Sequence, residues 1–325
     1  MAKIKYAQIG TEHGHANKIA VYRDSPEFEV VGLAEPNAKR VESLKTNPLY
    51  RDVPLFDVDA LLAIPGLQVV GVETAVRDQL RFARKVVDAD KHLHLEKPGG
   101  SSLKDFRQLL DDAAKKHLVV QLGYMYRYNP AIVLLRELLA KGWIGDVFEV
   151  HAVMSKLSGQ SLRDEVGEFS GGTMFELGCH LIDLVHGILG APDEVRAFPR
   201  HSAKNDDKLN DNMLAVFEYP KATATIRTSM IEVDGFARRH LAVVGTKGTL
   251  HIQPLDNPVA QLTLLQAHGK YKKGHQEIEF PRYSRYVGDA AALAKWIRHE
   301  EDPQFSYEHD TEVLKSVLLA SAMEV

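Results

Sequence analysis

The sequence has a single cysteine, Cys179, and only two tryptophans among 325 residues. One cysteine cannot form an intrachain disulfide, so the chain is not a small domain held together by disulfides, and it is compatible with a reducing compartment. The sequence shows no residue placed to activate the Cys179 thiol. We therefore expect Cys179 to be a small buried apolar residue.

The sequence also lacks an excess of charge and long hydrophobic runs. Its 40 basic and 44 acidic residues give a net charge of −4, which provides no general attraction to nucleic acid or anionic membranes. No apolar run approaches membrane-spanning length. Residues 1–6 run straight into a strand pattern without the features of a secretion signal. We expect a cytoplasmic protein with neither a nucleic-acid nor a membrane partner.

Length and composition favour two globular domains, since 45% of the residues are apolar. In residues 1–122, buried strand patterns alternate with amphipathic helix patterns, which predicts a doubly wound parallel sheet of the Rossmann type. In residues 123–325, a helix at 130–141 and a strand at 147–155 precede several consecutive strand patterns, with a hairpin turn at 245–248. These predict a second α/β domain with a mainly antiparallel sheet. One face of that sheet is expected to be open, which favours a homo-oligomer, dimer or tetramer.

The turn after the first strand reads Gly10-Thr11-Glu12-His13-Gly14-His15. In a βαβ unit this turn and the following helix N-terminus form the usual pyrophosphate site, and Glu35 lies where an acid accepts the ribose hydroxyls of NAD. An acid there disfavours NADP, although Lys39 and Arg40 oppose that preference. The glycine pattern is imperfect, because Glu12 and His15 stand where glycines are usual. The alternative is a tight turn with a purely structural role.

Lys97 lies in the segment Leu95-Glu96-Lys97-Pro98, at the end of a predicted strand. Ligands bind at the carboxyl ends of strands in open α/β sheets, so we expect its ammonium group to face a cofactor cleft. A solvated turn lysine is the alternative. The nearby His92 and His94 alternate on one strand, but no third ligand is identifiable, so we expect no metal.

A second candidate site lies in residues 170–183. On an α-helix, Glu176, His180 and Asp183 would share one face, and a histidine between two acids is suited to act as a base near neutral pH. Two structural interpretations remain open. Thr173 and Glu176 fit a helix capping box, and His180 could be a hydrogen-bonded core residue.

Taken together, three segments resemble the Gfo/Idh/MocA oxidoreductases, the family of glucose–fructose oxidoreductase and inositol dehydrogenase. They are Glu96-Lys97-Pro98, residues 123–130 (GYMYRYNP), and the glycine, glutamate, histidine and aspartate pattern of residues 171–183. The resemblance spans the whole chain, reaching residues 306–310. It implies NAD(P)-dependent oxidation or reduction at a carbon that bears a hydroxyl group, usually on a sugar or cyclitol.

By matching position, the resemblance implies that Lys97 polarises the reacting hydroxyl, that His180 is the general base and that Glu176 orients His180. Lys97 and His180 are then expected to meet at the same nicotinamide ring. Glu176 stands where the family usually has aspartate. The expected cofactor-binding residues are Gly10, Thr11, Glu12, His13, Gly14, His15, Glu35, Thr74, Glu96, Lys97 and Arg127. The expected substrate-binding residues are Lys97, Tyr124, Arg127, Glu176, His180 and Asp183.

Two acids that replace smaller residues, Glu12 and Glu73, leave other interpretations open. One is a ligand-sensing or interaction protein that binds cofactor weakly. Another is an enzyme that keeps the cofactor but uses transient oxidation to eliminate or cleave a glycosidic bond. The joint presence of Lys97, Glu176 and His180 favours an enzyme, because a sensor needs no base.

Overall fold

The computed structural model describes residues 2–325. Its strands are β1 Ile4–Ile9, β2 Phe28–Ala34, β3 Leu55–Phe56, β4 Val69–Val72, β5 His92–Leu95, β6 Val120–Leu122, β7 Val147–Ser155, β8 Glu194–Arg200, β9 Asn212–Glu218, β10 Thr223–Ser229, β11 His240–Gly245, β12 Gly248–Ile252, β13 Val259–Leu264 and β14 Gly274–Glu279. Its α-helices are α1 Ile19–Asp24, α2 Ala38–Thr46, α3 Val58–Leu62, α4 Val76–Asp88, α5 Leu103–Lys115, α6 Pro130–Ala140, α7 Gln160–Gly167, α8 Cys179–Leu189, α9 Gly235–Arg238, α10 Val287–Ile297 and α11 Tyr307–Ala320. Short 3-10 segments, Ala16–Lys18 and Met125–Tyr128, precede α1 and α6, and a π-helical segment, Met174–Gly178, precedes α8.

The first sheet has the strand order β3-β2-β1-β4-β5-β6, and all its strand pairs are parallel. Strands β4 and β6 are buried throughout, as expected of parallel strands covered by helices on both faces. The strand order reverses between β1 and β4, and this switch point is where doubly wound sheets bind ligands. The predicted parallel sheet is therefore confirmed.

The helices of this sheet follow the apolar periodicity of the sequence. In α5 the side chains of Phe106, Leu109, Leu110 and Ala113 are buried. Ser102 caps the helix by accepting a hydrogen bond from the backbone N–H of Asp105 at 3.3 Å.

The chain forms two compact units that are not consecutive halves. One contains Met1–Tyr124 and Arg285–Thr311, and the other contains Met125–Ser284 and Glu312–Val325. This division differs from the predicted boundaries, 1–122 and 123–325, because a late segment of the chain packs on the first sheet.

The contacts of residues 285–311 explain why this segment belongs to the first unit. The apolar face of α10 joins the core beneath β1 and β2. The side chain of Gln121 donates a hydrogen bond to the carbonyl of Asp289 at 3.0 Å, and the Tyr307 hydroxyl accepts one from the backbone N–H of Val120 at 3.0 Å. Burial of the α10 apolar face against strands far from it in sequence therefore places residues 285–311 in the first unit.

The second unit is built on an eight-stranded sheet with the order β14-β13-β12-β11-β7-β10-β9-β8. Six of its seven pairings are antiparallel, and β10 pairs with β7 in parallel. Alternate residues of β9 and β11 are buried on one face and half-buried on the other. The predicted mainly antiparallel sheet is thus confirmed, and residues 245–248 do form the turn between β11 and β12.

Among residues 2–325, no helix has both the length and the apolar character needed to cross a lipid bilayer.

Candidate functional site

Gly10 makes the turn after β1 possible. Its φ of +87° lies in the left-handed region, and a Cβ atom there would stand 2.6 Å from Cγ2 of Thr74 and 2.8 Å from the Thr74 backbone nitrogen. Both the conformation and the close approach therefore require glycine. The turn brings the ends of β1 and β4 together, so that Thr74 lies beside Gly10.

Gly14, unlike Gly10, lies where the turn is open to solvent. It is exposed, and a Cβ atom built on it would meet nothing within 4 Å. The space over this part of the turn is open, as the approach of a pyrophosphate to a first βα turn requires. The switch-point position, the Gly10 turn and the space at Gly14 together fit a bound dinucleotide.

The Glu12 carboxylate contacts the side chains of Arg77 and Asn37. Its Oε1 lies 3.1 Å from Nη2 of Arg77, and its Oε2 accepts a hydrogen bond from the side-chain amide of Asn37 at 3.4 Å. The negative charge that weakened the sequence argument is thus partly offset by Arg77.

Glu35 follows the end of β2 and is held by the first turn. Its Oε2 accepts a hydrogen bond from the Thr11 hydroxyl at 2.5 Å, and its Oε1 accepts one from the backbone N–H of Asn37 at 2.8 Å. The guanidinium group of Arg40 donates to the hydroxyl and carbonyl oxygens of Thr11, and its Nε lies 3.9 Å from Glu35 Oε2. An acid and a cation therefore lie side by side at the position that distinguishes NAD from NADP.

Below the turn lies a buried group of charged side chains, which we call the Lys18 cluster: Lys18, Glu73, His94 and Glu96. The Lys18 ammonium group bonds Oε1 of Glu96, lies 2.8 Å from Nε2 of His94 and lies 3.4 Å from Oε1 of Glu73. His94 is fixed in turn by Gln121, whose side-chain oxygen lies 2.9 Å from Nδ1 of the ring.

Burial and charge set the ionisation of this cluster. Burial disfavours the charged form of Lys18, but Glu73 and Glu96 outweigh it and raise the lysine pKa. Burial likewise disfavours the Glu96 carboxylate, but Lys18 and two imidazoles hold its pKa well below the usual range. Burial raises the pKa of Glu73, and Lys18 only partly opposes this. One ammonium group is thus shared by two buried carboxyls, and Glu96 is the one held ionised.

The second oxygen of Glu96 faces the turn and Lys97. Glu96 Oε2 lies 3.1 Å from Nδ1 of His15 and 3.5 Å from Nδ1 of His13. It also accepts a hydrogen bond from the backbone N–H of Lys97 at 3.1 Å. Lys97 is the second residue after β5 and is only 2% exposed, so it is not the solvated turn lysine that was the alternative.

In the second unit, the helix that carries Glu176 and His180 is not a continuous α-helix. Glu176 lies in the π-helical segment, and His180 lies in the first turn of α8. The wider π turn changes the angle between neighbouring residues, so the predicted i, i+4 spacing does not apply. Glu176 Oε2 lies 3.4 Å from Nζ of Lys156. The predicted capping box is absent, because Thr173 makes no capping hydrogen bond and its hydroxyl lies 2.8 Å from that of Thr228.

His180 is 3% exposed and packs its ring edge-to-face on Tyr126, with ring centroids 5.4 Å apart. Tyr126 is itself fixed, since its hydroxyl donates to Oδ1 of Asp256 at 2.8 Å. The other oxygen of Asp256 lies 3.1 Å from Nη1 of Arg239. The orientation of the His180 ring is therefore set by an aromatic neighbour with its own polar anchor.

Arg127 and Asp183, which the sequence analysis assigned to cofactor and substrate, form a buried ion pair with each other. Nε and Nη2 of Arg127 lie 3.0 Å and 2.6 Å from Oδ1 of Asp183. The two side chains are 3% and 2% exposed. The pair joins the 3-10 segment before α6 to α8, which holds the His180 helix in place.

Three other residues discussed from the sequence are Tyr124, Cys179 and His92. Tyr124 is buried after β6. Cys179 is buried, as expected, and its thiol donates to the carbonyl of Glu176 at 3.3 Å. His92 accepts a hydrogen bond from the backbone N–H of Val119 at 2.9 Å.

Sequence reasoning missed Lys18 and underestimated Glu73. Lys18 looks like a surface residue of a short helix, yet its side chain is 1% exposed. The available signal was the pair of buried acids at two strand ends, which require a cation between them.

Comparison with known proteins agrees with this architecture. Residues 4–124 match the model of an oxidoreductase family with an NAD-binding Rossmann fold, and residues 132–251 match the Gfo/Idh/MocA C-terminal domain. The chain is 26% identical over 303 residues to D-xylose 1-dehydrogenase (NADP(+)) 2 of Haloferax volcanii, covering 90% of this chain and 88% of that one. It is 24% identical over 189 residues to the uncharacterised oxidoreductase YhhX of Escherichia coli, covering 58% of this chain and about half, 54%, of that relative.

Among solved structures, the fold is similar to UDP-N-acetylglucosamine 3-dehydrogenase from Acidithiobacillus ferrooxidans. The TM-score is 0.82 at 19% identity, covering 99% of each chain. With both family domains present in order, the chain belongs to the Gfo/Idh/MocA family of NAD(P)-binding oxidoreductases.

Proposed function

We propose that the protein transfers a hydride between a nicotinamide cofactor and a hydroxyl-bearing carbon of a sugar, cyclitol or related polyol. The observation that carries this proposal is the placement of Lys97, buried at the carboxyl end of β5, with its backbone N–H held by the ionised Glu96. A fixed lysine at a strand end of a Rossmann sheet suits the polarisation of a hydroxyl group beside a bound dinucleotide. A structural lysine would need no such support.

The roles of the residues follow from this placement. The nicotinamide, when bound, supplies or accepts the hydride. Lys97 stabilises the developing alkoxide and is effective only if it favours that charge over the neutral alcohol. His180 takes up the hydroxyl proton, a contribution of about 10²–10⁴-fold for general base catalysis. Glu176, paired with Lys156, orients the base or relays its proton.

The remaining assignments are proposed contributions to binding. Gly10, Thr11, Glu12, His13, Gly14, His15, Thr74, Glu96 and Arg127 serve the dinucleotide site. Tyr124, Arg127 and Asp183 border the substrate, where the buried Arg127–Asp183 pair contributes by holding the helix of His180.

The substrate class is supported by the relatives. The Haloferax volcanii protein is named for D-xylose, and the Acidithiobacillus ferrooxidans protein is named for a nucleotide-linked amino sugar. We propose a sugar or polyol on this basis.

We also propose that the protein prefers NAD to NADP, because Glu35 would repel a 2′-phosphate while accepting ribose hydroxyls. The nearby positive charge of Arg40 opposes this preference for NAD. Glu35→Ser is therefore expected to reduce the ratio of kcat/KM with NAD to kcat/KM with NADP at least ~10-fold, about one charge-assisted hydrogen bond. Glu42→Ser, on the exposed side of α2, serves as the control. An unchanged ratio would remove Glu35 from coenzyme selection.

A panel of sugars, cyclitols and polyols, assayed with NAD and with NADP for the absorbance of the reduced cofactor, tests the proposed reaction. We expect reduction with at least one member of the panel. If the dinucleotide binds and the whole panel fails in both directions, including with keto sugars and the reduced cofactor, the proposed reaction is wrong.

A further inference from the structure

Tyr126, in the sequence motif of residues 123–130, lies against the imidazole ring of His180. The two rings are nearly perpendicular, with an interplanar angle of 88° and centroids 5.4 Å apart. Tyr126 is 1% exposed and His180 is 3% exposed. The torsion that turns an imidazole about its Cβ–Cγ bond has broad minima, so a histidine ring keeps one orientation only where its neighbours hold it. The Tyr126 ring is such a neighbour.

The Tyr126 ring is itself held at its hydroxyl end. The hydroxyl donates a hydrogen bond to Oδ1 of Asp256 at 2.8 Å. Close by in the chain, the side-chain amide of Asn129 donates to the carbonyl of Leu255 at 2.8 Å. Two hydrogen bonds therefore join the segment that carries Tyr126 to residues 255 and 256.

Arg239 holds the other oxygen of Asp256. Its Nη1 lies 3.1 Å from Asp256 Oδ2, and the two side chains are 5% and 9% exposed. Nε of Arg239 donates to the carbonyl of Ser155, the last residue of β7, at 3.2 Å. The guanidinium group also lies over the ring of Phe236, with Cζ 3.8 Å from the ring centroid. A strand end and an aromatic face thus fix Arg239, and Arg239 fixes Asp256.

Stability alone explains the Arg239–Asp256 pair poorly. Burying two opposite charges costs free energy that their attraction often does not recover, and apolar side chains of similar volume often stabilise a fold equally well. A carboxylate provides what an apolar side chain cannot, an acceptor at a fixed point for the phenol hydroxyl. The ion pair therefore ties the Tyr126 ring to the end of β7.

We propose that Asp256 and Arg239 are positioning residues for His180 and act through Tyr126. The ion pair fixes the phenol ring, and the phenol ring fixes the orientation of the imidazole. This inference rests on the proposed role of His180 as general base, because a base must lie within hydrogen-bond reach of the proton that it removes. The sequence analysis gave Tyr126, Arg239 and Asp256 no role.

The orientation of the His180 ring can be observed without substrate. In protein with ¹³C-labelled histidine, the Cε1–H resonance of His180 is identified by its absence in His180→Gln, and its position includes the ring current of Tyr126. Tyr126→Phe keeps the aromatic ring but removes the hydroxyl that anchors it, so we expect this resonance to shift or broaden. Tyr219→Phe removes another hydroxyl of the same unit, which donates to the carbonyl of Gly190 at 3.2 Å. This matched control should leave the resonance unchanged.

Turnover with a substrate from the panel is the second readout. Tyr126→Phe is expected to lower kcat at least ~10-fold and to change KM less than ~3-fold, because a small displacement of the base costs rate rather than binding. Asp256→Asn keeps a polar atom for the Tyr126 hydroxyl but leaves Arg239 without its counter-charge. Asp256→Asn should therefore unfold at a lower urea concentration than Tyr126→Phe and yet keep more of the wild-type kcat.

These measurements separate the inference from the proposed reaction. A His180 resonance in Tyr126→Phe identical with that of the wild type would overturn the inference, whether or not the panel yields a substrate. Unchanged kcat in Tyr126→Phe, or losses of kcat that follow the losses of stability across the two variants, would overturn it as well. If the whole panel fails while the resonance changes in Tyr126→Phe alone, the reaction is wrong and the positioning stands. Circular dichroism checks folding, and Asp256→Ala replaces Tyr126→Phe if that variant is unfolded.

Discussion

At the scale of single residues, Lys18 is the cation that contacts two buried carboxyl groups of the first unit. It is the ammonium group shared by Glu73 and Glu96, and all three side chains are buried. Removing one member of a buried charge network leaves the others uncompensated, at a cost of about 3–5 kcal/mol. We expect Lys18→Met to lower the free energy of unfolding by that amount in urea titrations followed by circular dichroism.

Two variants control this prediction. Lys3→Met removes an exposed lysine of the same unit and should change the stability by less than about 0.5 kcal/mol. Adding Glu96→Gln to Lys18→Met removes the uncompensated carboxylate and should recover part of the loss. A loss below about 1 kcal/mol in Lys18→Met would mean that Glu96 is not ionised in the folded protein.

At the scale of elements, the turn between β1 and the helix that follows depends on Gly10. Gly10→Ala must place a side chain at a φ of +87° and within 2.6 Å of Thr74. We expect a loss of about 1–3 kcal/mol in unfolding free energy, together with weaker dinucleotide binding measured by calorimetry. The matched variant Gly14→Ala meets no atom within 4 Å, so its stability should stay within about 0.5 kcal/mol of the wild type. Equal stability of the two variants would contradict this account of the turn.

The sequence predicted those elements whose periodicity is local. Strand β7 begins and ends where the sequence predicted, and β1 ends just before the predicted turn at Gly10. The π-helical segment before α8 was not foreseen, because Thr173 and Glu176 fit a capping box in an ordinary helix. In the folded chain, the Thr173 hydroxyl meets Thr228 of β10, a contact between residues far apart in sequence.

The polar contacts of the site also join residues far apart in sequence, so the sequence alone could not predict them. The sequence named Glu96, Lys97 and the histidines of the first turn as site residues. It could not pair Glu96 with Lys18, since that contact depends on the sheet bringing β5 beside β4 and the first helix. Nor could it foresee that Arg127 and Asp183, separated by 56 positions, bond each other.

At the scale of the whole molecule, we propose that the half-buried face of the second sheet is covered in a homo-oligomer. Leu214 and Val216 on β9, together with Ala242 and Val244 on β11, give this face an apolar character. His151 and His240 lie on the same face, with ring centroids 5.1 Å apart. Burial of such a face favours association.

We expect these two histidines to make the proposed association sensitive to pH. Burial lowers the pKa of His151; His251 and Arg227 add to the effect, and Glu149 opposes it. Burial lowers the pKa of His240 too, assisted by His151, His251 and Arg238 and opposed by its hydrogen bond to the Arg238 carbonyl. Both rings therefore favour the neutral form in the folded chain. Covering the face in an oligomer would bury them further, so association is expected to weaken as the pH falls below the unperturbed histidine pKa of about 6.5.

Sedimentation velocity is therefore expected to show an oligomer at about pH 7.5 that dissociates toward pH 5.5, on either side of the unperturbed histidine pKa. The double variant His151→Gln/His240→Gln should lose most of this pH dependence. A monomer at both pH values would exclude the proposed interface, and dissociation unchanged in the variant would assign the pH dependence to other groups.

The central claim for the whole molecule is that Lys97 and His180 serve one chemical step. The most direct measurement is a double-mutant cycle of turnover with a substrate from the panel, using Lys97→Ala, His180→Ala and the double variant, with Lys104→Ala as the surface control. Each single variant is expected to lower kcat at least ~100-fold with dinucleotide affinity little changed. If the residues act together, the double variant will be no more than about 10-fold slower than the slower single variant. Losses that multiply, or near-wild-type turnover of Lys97→Ala, would contradict the claim.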